Sequence, residues 1–325
     1  MDRHGLPGDA PGGAFPVDRP RVRWSGARRA LDDAVGRSCR GALQQIAFAE
    51  MAEAEGILHP LNTDFVWTVP ATGLRRVTAE QRRSYDERGY FLLRDAFDPE
   101  EIGEVRAVLD PLEEEATRFL RGFEGDALFI AQADAITFTT HAVLRDARLR
   151  DYVSGPVFRD LGHDLIGDDV RLYWDQAVYK KPEPEREFPW HQDNGYTFIE
   201  PQAYLTCWVA LTDADESNGC PWVAPGLHRA GTFEHEATEF GLRCRVPIEE
   251  CVPLAVPAGS IAVFSSLTPH RTGPNRTDAV RKSYIVQFAP SGACRIDPVE
   301  GGRRTETAQD DPGRQFEILR SGRAV

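Results

Sequence analysis

The stretch Phe-Pro-Trp-His-Gln-Asp-Asn-Gly-Tyr, residues 188–196, sets His191 and Asp193 two apart. Along a strand, residues i and i+2 project to one face, so both side chains can reach a single cation while Gln192 points away. A third ligand must come from elsewhere in the chain. His270 fits best, because it follows the apolar run Ser-Ile-Ala-Val-Phe-Ser where a strand end opens into a turn. Two histidines and one carboxylate form the facial triad of non-haem Fe(II) oxygenases, which leaves neighbouring coordination positions open. Alone, His-x-Asp is a weak signal, more often a satisfied surface pair than half of a metal site. The other histidines fit less well. His4 lies in a Gly/Pro-rich arm, His59 precedes a proline, His141 and His163 fall in helical segments, and His228 and His235 lie in or just after Val-Ala-Pro-Gly-Leu-His-Arg-Ala-Gly.

Arg281 stands eleven residues after His270, across a Gly-Pro-Asn turn, at the start of the next strand. A planar, permanently charged guanidinium there can grip a carboxylate with two parallel hydrogen bonds. Arg271 and Arg276 compete for that role, but the first adjoins the ligand on the opposite face and the second sits in the turn.

The elements that must position these groups are legible in outline. Residues 78–87 read as a short helix and Tyr90–Leu93 as a strand. Asp98-Pro99-Glu100-Glu101 reads as an N-cap with proline at the first helical position, opening a helix to about Arg121. Beyond Ile136 the runs ITFTT, VRLYWDQAVYKK, AYLTCWVALT, CVPLAV, SIAVFS and KSYIVQFA are β-rich and separated by Gly/Pro/Asn turns, which predicts a sandwich or barrel. Ahead of them come a loose arm of about 25 residues and helical periodicity from Ala27 to Glu55. The expected organisation is an N-terminal arm with helices over residues 1–75, a core domain over 76–290 and a C-terminal tail over 291–325.

Net charge of −13 argues against a phosphate-backbone partner, and no apolar run is long enough to span a membrane. Neither a secretory signal nor a transit peptide is evident, so a cytoplasmic location is expected. The six cysteines form no C-x-x-C pair and read as reduced thiols.

Taken together, PWHQDNGY, WVALTDADESNGCPWVAPGLHRAG and PHRTGPNRTDAVRKSY resemble the phytanoyl-CoA dioxygenase family of Fe(II)/2-oxoglutarate oxygenases. The resemblance covers about residues 176–290 and implies a mainly β chain with flanking helices, a double-stranded β-helix (jelly roll, cupin-like). It implies Fe(II) held by His191, Asp193 and His270, with 2-oxoglutarate and O2 as co-substrates. Arg281 would bind the distal carboxylate of 2-oxoglutarate with Thr272 beside it, and Gln176 and Trp208 match positions lining that pocket. Lys180 lies where the family commonly carries a lysine, with a snorkelling edge-strand lysine as the alternative. The implied reaction is oxidation of a small molecule, hydroxylation by default because Asp193 retains the carboxylate that related halogenases lack. Desaturation, cyclisation, epoxidation and epimerisation start from the same chemistry. The arginine-rich, lysine-poor composition suits a GC-rich bacterial genome, and the family serves bacterial secondary metabolism. Tyr196, Phe198 and Trp222, with Phe65 or Trp67 if the N-terminal segment covers the barrel mouth, are candidate substrate contacts. A Zn or Ni hydrolase or isomerase on a cupin-like barrel and a non-catalytic ligand-binding barrel are the rivals from other classes. The first gives Arg281 no reason for its spacing, and the second has no need of a whole triad.

Overall fold

A computed structural model of the protein describes residues 56–70, 73–299 and 303–325. The arm and helical periodicity expected over residues 1–55 lie outside the described residues. Helix α1 (Ala79–Arg88) starts at Thr78, whose hydroxyl accepts the Gln81 amide while the Gln81 side chain returns to the Thr78 amide. It stops at Gly89, which takes φ 82° and lies so close to Thr268 that a Cβ would stand 2.5 Å from the Thr268 hydroxyl. Strand β1 (Tyr90–Leu93) follows, then α2 (Pro99–Leu120), N-capped by Asp98 as the sequence predicts, with the Glu101 side chain completing the cap by accepting the Asp98 amide.

Two sheets of the β-rich part carry the strands that hold the candidate residues. The larger contains β2 (Ile136–Thr140), β3 (Val170–Lys180), β5 (Leu205–Ala210), β7 (Ile261–Ser265) and β9 (Arg281–Pro290), in the order β1-β7-β5-β9-β3-β2. The smaller contains β4 (Phe188–His191), β6 (Pro221–Val223) and β8 (His270–Thr272), with Val252–Pro253 completing the order Val252–Pro253, β6, β8, β4. All these neighbours pair antiparallel. Two helices, α3 (Ala147–Val153) and α4 (Pro156–Leu165), interrupt the strand series between β2 and β3.

Alternation along the strands divides the side chains of the large sheet into two sets. Tyr179, Ala177, Tyr284, Val286, Cys207, Val209, Ile261 and Val263 bury against Tyr85 of α1, Val105 and Leu109 of α2, Leu149 of α3 and Phe158 and Leu161 of α4. On the opposite face Tyr90, Trp208, Ala210, Ala262 and Phe264 pack with Val223 of the small sheet, and the Phe264 ring lies 4.7 Å from that of His270. Two sheets facing one another, with helices on the outer side of the larger, form the sandwich that the strand runs predict and the jelly roll that the family resemblance implies.

Three details differ from the sequence reading. CVPLAV forms a ladder of two residues, Val252–Pro253, and a single further bridge from Val256 to Ala214, because Pro253 and Pro257 limit the ladder. His141 lies at φ 53° ahead of a 3-10 turn rather than within a helix. The residues set apart as a C-terminal tail carry strands: Cys294–Val299 pairs with Arg303–Ala308 and with Ile199–Glu200, and Glu317–Arg320 pairs with β3. Ile318 and Leu319 join the helix-side core, and their burial draws that segment onto the sheet.

Candidate metal centre and co-substrate pocket

His191 ends β4 and His270 begins β8, and the antiparallel register sets the two directly opposite each other, with ring centroids 4.1 Å apart. Strand β4 stops at His191, so Asp193 is not on the strand itself but opens a 3-10 turn (Asp193–Gly195). The alternation argument survives because Gln192 keeps an extended backbone, φ −107° and ψ 143°, for one residue beyond the ladder. One ligand atom from each of His191, Asp193 and His270 lies within 4.8 Å of the others. Among the described residues this is the one group of three or more such side chains able to hold a metal.

Hydrogen bonds prepare each ligand. His191 donates from Nδ1 to the Pro189 carbonyl at 2.8 Å, and His270 from Nδ1 to the Thr268 carbonyl at 3.0 Å. Each Nε2 is therefore bare, the tautomer that coordinates a cation. Burial, reinforced by His270, holds His191 well below the usual imidazole range, so it stays unprotonated. Asp193 accepts the Thr206 hydroxyl on Oδ2 at 2.6 Å, and Thr206 in turn accepts from Gln287 at 3.2 Å. The other oxygen, Oδ1, faces His270 Nε2 at 3.6 Å. Sequence reasoning missed Thr206 and Gln287. Their signal was a polar residue at an inward position of an otherwise apolar strand.

Arg281, on β9, is buried, with Nη1 donating to the Ser283 hydroxyl at 2.7 Å. Its Nε and Nη2 are buried without a partner among the described residues. Each orphaned donor costs about 1–3 kcal/mol. The edge formed by Nε and Nη2 is the one that a carboxylate meets with two parallel bonds. The Trp208 ring, itself buried, stands 5.2 Å from the guanidinium carbon. Lys180 faces Arg281 across the ladder between β3 and β9, buried, and its Nζ donates to the Gly273 carbonyl. That placement excludes the snorkelling alternative. Burial, then the charge of Arg281, pull Lys180 down to about 7, and burial lowers Arg281 to about 10. Two buried cations with no acidic partner within ion-pair distance among the described residues call for an anion, and a carboxylate fits the donor set.

Gln176 of β3 and Trp208 of β5 lie in one cross-strand row through Ile285 of β9, on the face that also carries Arg281. The Gln176 amide oxygen accepts the Trp174 indole N–H at 3.2 Å. Thr272, two residues after His270 on β8, is half-buried opposite Pro221 and Phe188. Arg276 is exposed in the turn. Arg271 pairs with Glu187, and its guanidinium lies 5.4 Å from both the Trp190 and Trp222 rings. Alternation on β8 puts it on the face away from His270.

Tyr196 meets His191 edge-on at 5.4 Å, and Phe188, which the sequence did not single out, does so at 4.8 Å. Three other candidate substrate contacts lie elsewhere. Trp222 pairs with Arg271 and not with the metal face. Phe198 stacks on His59 at 4.7 Å. Trp67 packs on Tyr85 and His228, and its indole N–H is bonded to Asp86 at 2.8 Å. In each case contact with another ring or with a guanidinium holds the side chain.

Comparisons with known proteins bear on the family and the fold. A probable phytanoyl-CoA dioxygenase from Caenorhabditis elegans is 25% identical over 257 residues, 72% of this chain and 82% of that protein. Among solved structures, the epimerase SnoN in complex with Fe3+, alpha ketoglutarate and nogalamycin RO superposes with a TM-score of 0.57 at 20% identity, over 74% of this chain and 97% of that one. EctD from S. alaskensis, with 2-oxoglutarate and 5-hydroxyectoine, also gives 0.57, at 22% identity over 78% and 90% of the two chains. The family model for phytanoyl-CoA dioxygenase (PhyH) matches residues 85–283, a span that holds every strand contributing to the triad and ends just past Arg281, and the chain belongs to that family.

Proposed function

We propose that this protein is an Fe(II)/2-oxoglutarate-dependent dioxygenase that hydroxylates a small molecule, with His191, Asp193 and His270 holding the iron. Arg281 binds the distal carboxylate of 2-oxoglutarate. The observation that carries the reading is the pairing of a three-ligand cluster whose Nε2 atoms are bare with a buried guanidinium that lacks an acceptor on two nitrogens. A hydrolase or isomerase built on the same ligands has no use for those buried donors.

Bound iron and 2-oxoglutarate supply the oxidising chemistry: O2 is reduced, 2-oxoglutarate gives succinate and CO2, and a C–H bond of the substrate is oxidised. The chain's own residues fix where this happens. Pro189 and Thr268 carbonyls hold the two imidazoles, and Thr206 holds one oxygen of Asp193 so that the other points at the cluster. Asp193 would fill a coordination position with negative charge, which would favour hydroxylation over halogenation. Arg281, Lys180 and Trp208 would hold the co-substrate carboxylate, with Thr272 and Gln176 as further polar contacts. Phe188 and Tyr196 flank His191 and offer apolar surface to a substrate.

The SnoN and EctD structures contain small organic ligands, which supports a small-molecule substrate here and a setting in bacterial secondary metabolism. Net charge of −13 speaks against nucleic acid. Among the described residues no helix is long and apolar enough to cross a membrane. Anaerobic titration with Fe(II) and 2-oxoglutarate tests the reading. A weak visible charge-transfer band is expected for the parent and not for His191→Ala or His270→Ala. A folded parent that gives no band sinks the proposal.

A further inference from the structure

Gln192 sits between two of the three proposed ligands, and each of its polar atoms has a partner. Its side-chain oxygen accepts the Phe233 amide at 2.6 Å, and its Nε2 donates to the Gly231 carbonyl at 2.9 Å and the Leu267 carbonyl at 2.6 Å. Its own carbonyl accepts the Gly195 amide at 3.0 Å. The remaining group, the backbone N–H, donates to Nε2 of His235 at 3.0 Å. His235 is able to accept there because its Nδ1 donates to the Phe233 carbonyl at 2.9 Å, and the two bonds together fix the tautomer. The imidazole fills the space over Gly195, where a Cβ would stand 2.0 Å from His235 Cε1.

His235 also opens a hairpin, His235–Thr238 with Gly241–Cys244, whose second strand returns to the same loop. The Leu242 amide donates to the Tyr196 hydroxyl at 3.0 Å, and the Tyr196 ring lies edge-on to His191. The hairpin thus touches the metal loop at two points, behind the ligands and beside them.

We propose that His235 is a positioning residue for the metal: by accepting the Gln192 amide it fixes the His191–Gln192 peptide, the first of the two that link His191 to Asp193, and the hairpin it opens clamps the same loop at Tyr196. The inference rests on the ligand set proposed above. Without that acceptor the Gln192 N–H is left unpaired in a part-buried site. Its peptide then turns to reach water, carrying the backbone of both ligands with it.

Co(II) titration of the full-length protein without 2-oxoglutarate, followed by its visible absorption, tests this. His235→Phe is expected to weaken Co(II) binding about 10- to 100-fold with circular dichroism and thermal midpoint unchanged. His235→Gln, whose amide oxygen accepts the same N–H, is expected to stay within about threefold of the parent. Gly195→Ala, which displaces the ring, is expected to match His235→Phe. A folded His235→Phe or Gly195→Ala with parental affinity, or a His235→Gln as weak as His235→Phe, overturns the role of His235. If His235→Phe does not fold, the contrast between His235→Gln and Gly195→Ala decides. A folded parent that takes up no Co(II) overturns the ligand set itself, and this role with it.

Discussion

Arg281 and Lys180 face each other directly across the ladder between β9 and β3, both buried, and neither has an acidic partner within ion-pair distance among the described residues. Two like charges in such a place repel each other and lose their hydration, so the apo pocket is destabilised until an anion enters. Arg281→Ala is expected to weaken 2-oxoglutarate binding by about 2–5 kcal/mol, roughly 30- to several-thousand-fold. Arg276→Ala, at an exposed turn position, should change it little. Equilibrium binding measured on folded variants checks this, and reversed sensitivities would show that the wrong arginine has been chosen.

The Lys180 ammonium brings a pH dependence. Its value in the free protein is drawn down to about 7, and a carboxylate bound next to it raises it again. Binding therefore takes up a proton, and 2-oxoglutarate affinity should fall as pH rises above about 7, by up to about tenfold per unit. Lys180→Met should flatten that slope. A parent whose affinity is level from pH 6.5 to about 9 would remove Lys180 from the pocket.

Asp193 offers a separable test of ligand and co-substrate. Asp193→Gly should keep 2-oxoglutarate binding, because Arg281 is untouched, and lose most product formation. Thr206→Val leaves the carboxylate in place but frees its Oδ2, and metal affinity is expected to drop by about tenfold. Calorimetric titration of both variants with metal and then with co-substrate separates the two effects. Normal hydroxylation by the glycine variant would show that Asp193 is not a ligand.

Asp175 lies on the helix side of the large sheet, where its Oδ2 accepts the Tyr284 hydroxyl at 2.9 Å and the Val143 amide at 3.2 Å. Burial pushes its carboxyl up from 3.8 to about 6. Between those values the folded state holds a proton that the unfolded state has released, so stability falls as pH rises through the window. The cost reaches about 3 kcal/mol at neutral pH. Asp175→Asn removes it, so the stability of the variant relative to the parent should improve from pH 4 to pH 7. Denaturant unfolding at the two values measures the difference, and a flat difference would contradict it.

Much of this protein follows from the order of its residues alone. The cap at Asp98, strand alternation, and the spacings His-x-Asp and His270-to-Arg281 are local statements. The forces behind them, hydrogen bonds to the first helical turn and the two-residue period of a strand, act over a few residues. That locality is why Ala79–Arg88, Tyr90–Leu93 and Ile136–Thr140 are legible before any folding is considered. Tertiary structure decided what depends on distant partners. Only the pairing of β8 with β4 brings His270 against His191, and only the β3–β9 register buries Lys180 beside Arg281. Sequence distance also hides His235, 43 residues from the amide it accepts. Trp67 and Trp222 were misplaced for the same reason, since an aromatic ring goes to whichever apolar surface the fold presents, and that surface exists only once the sheets have closed.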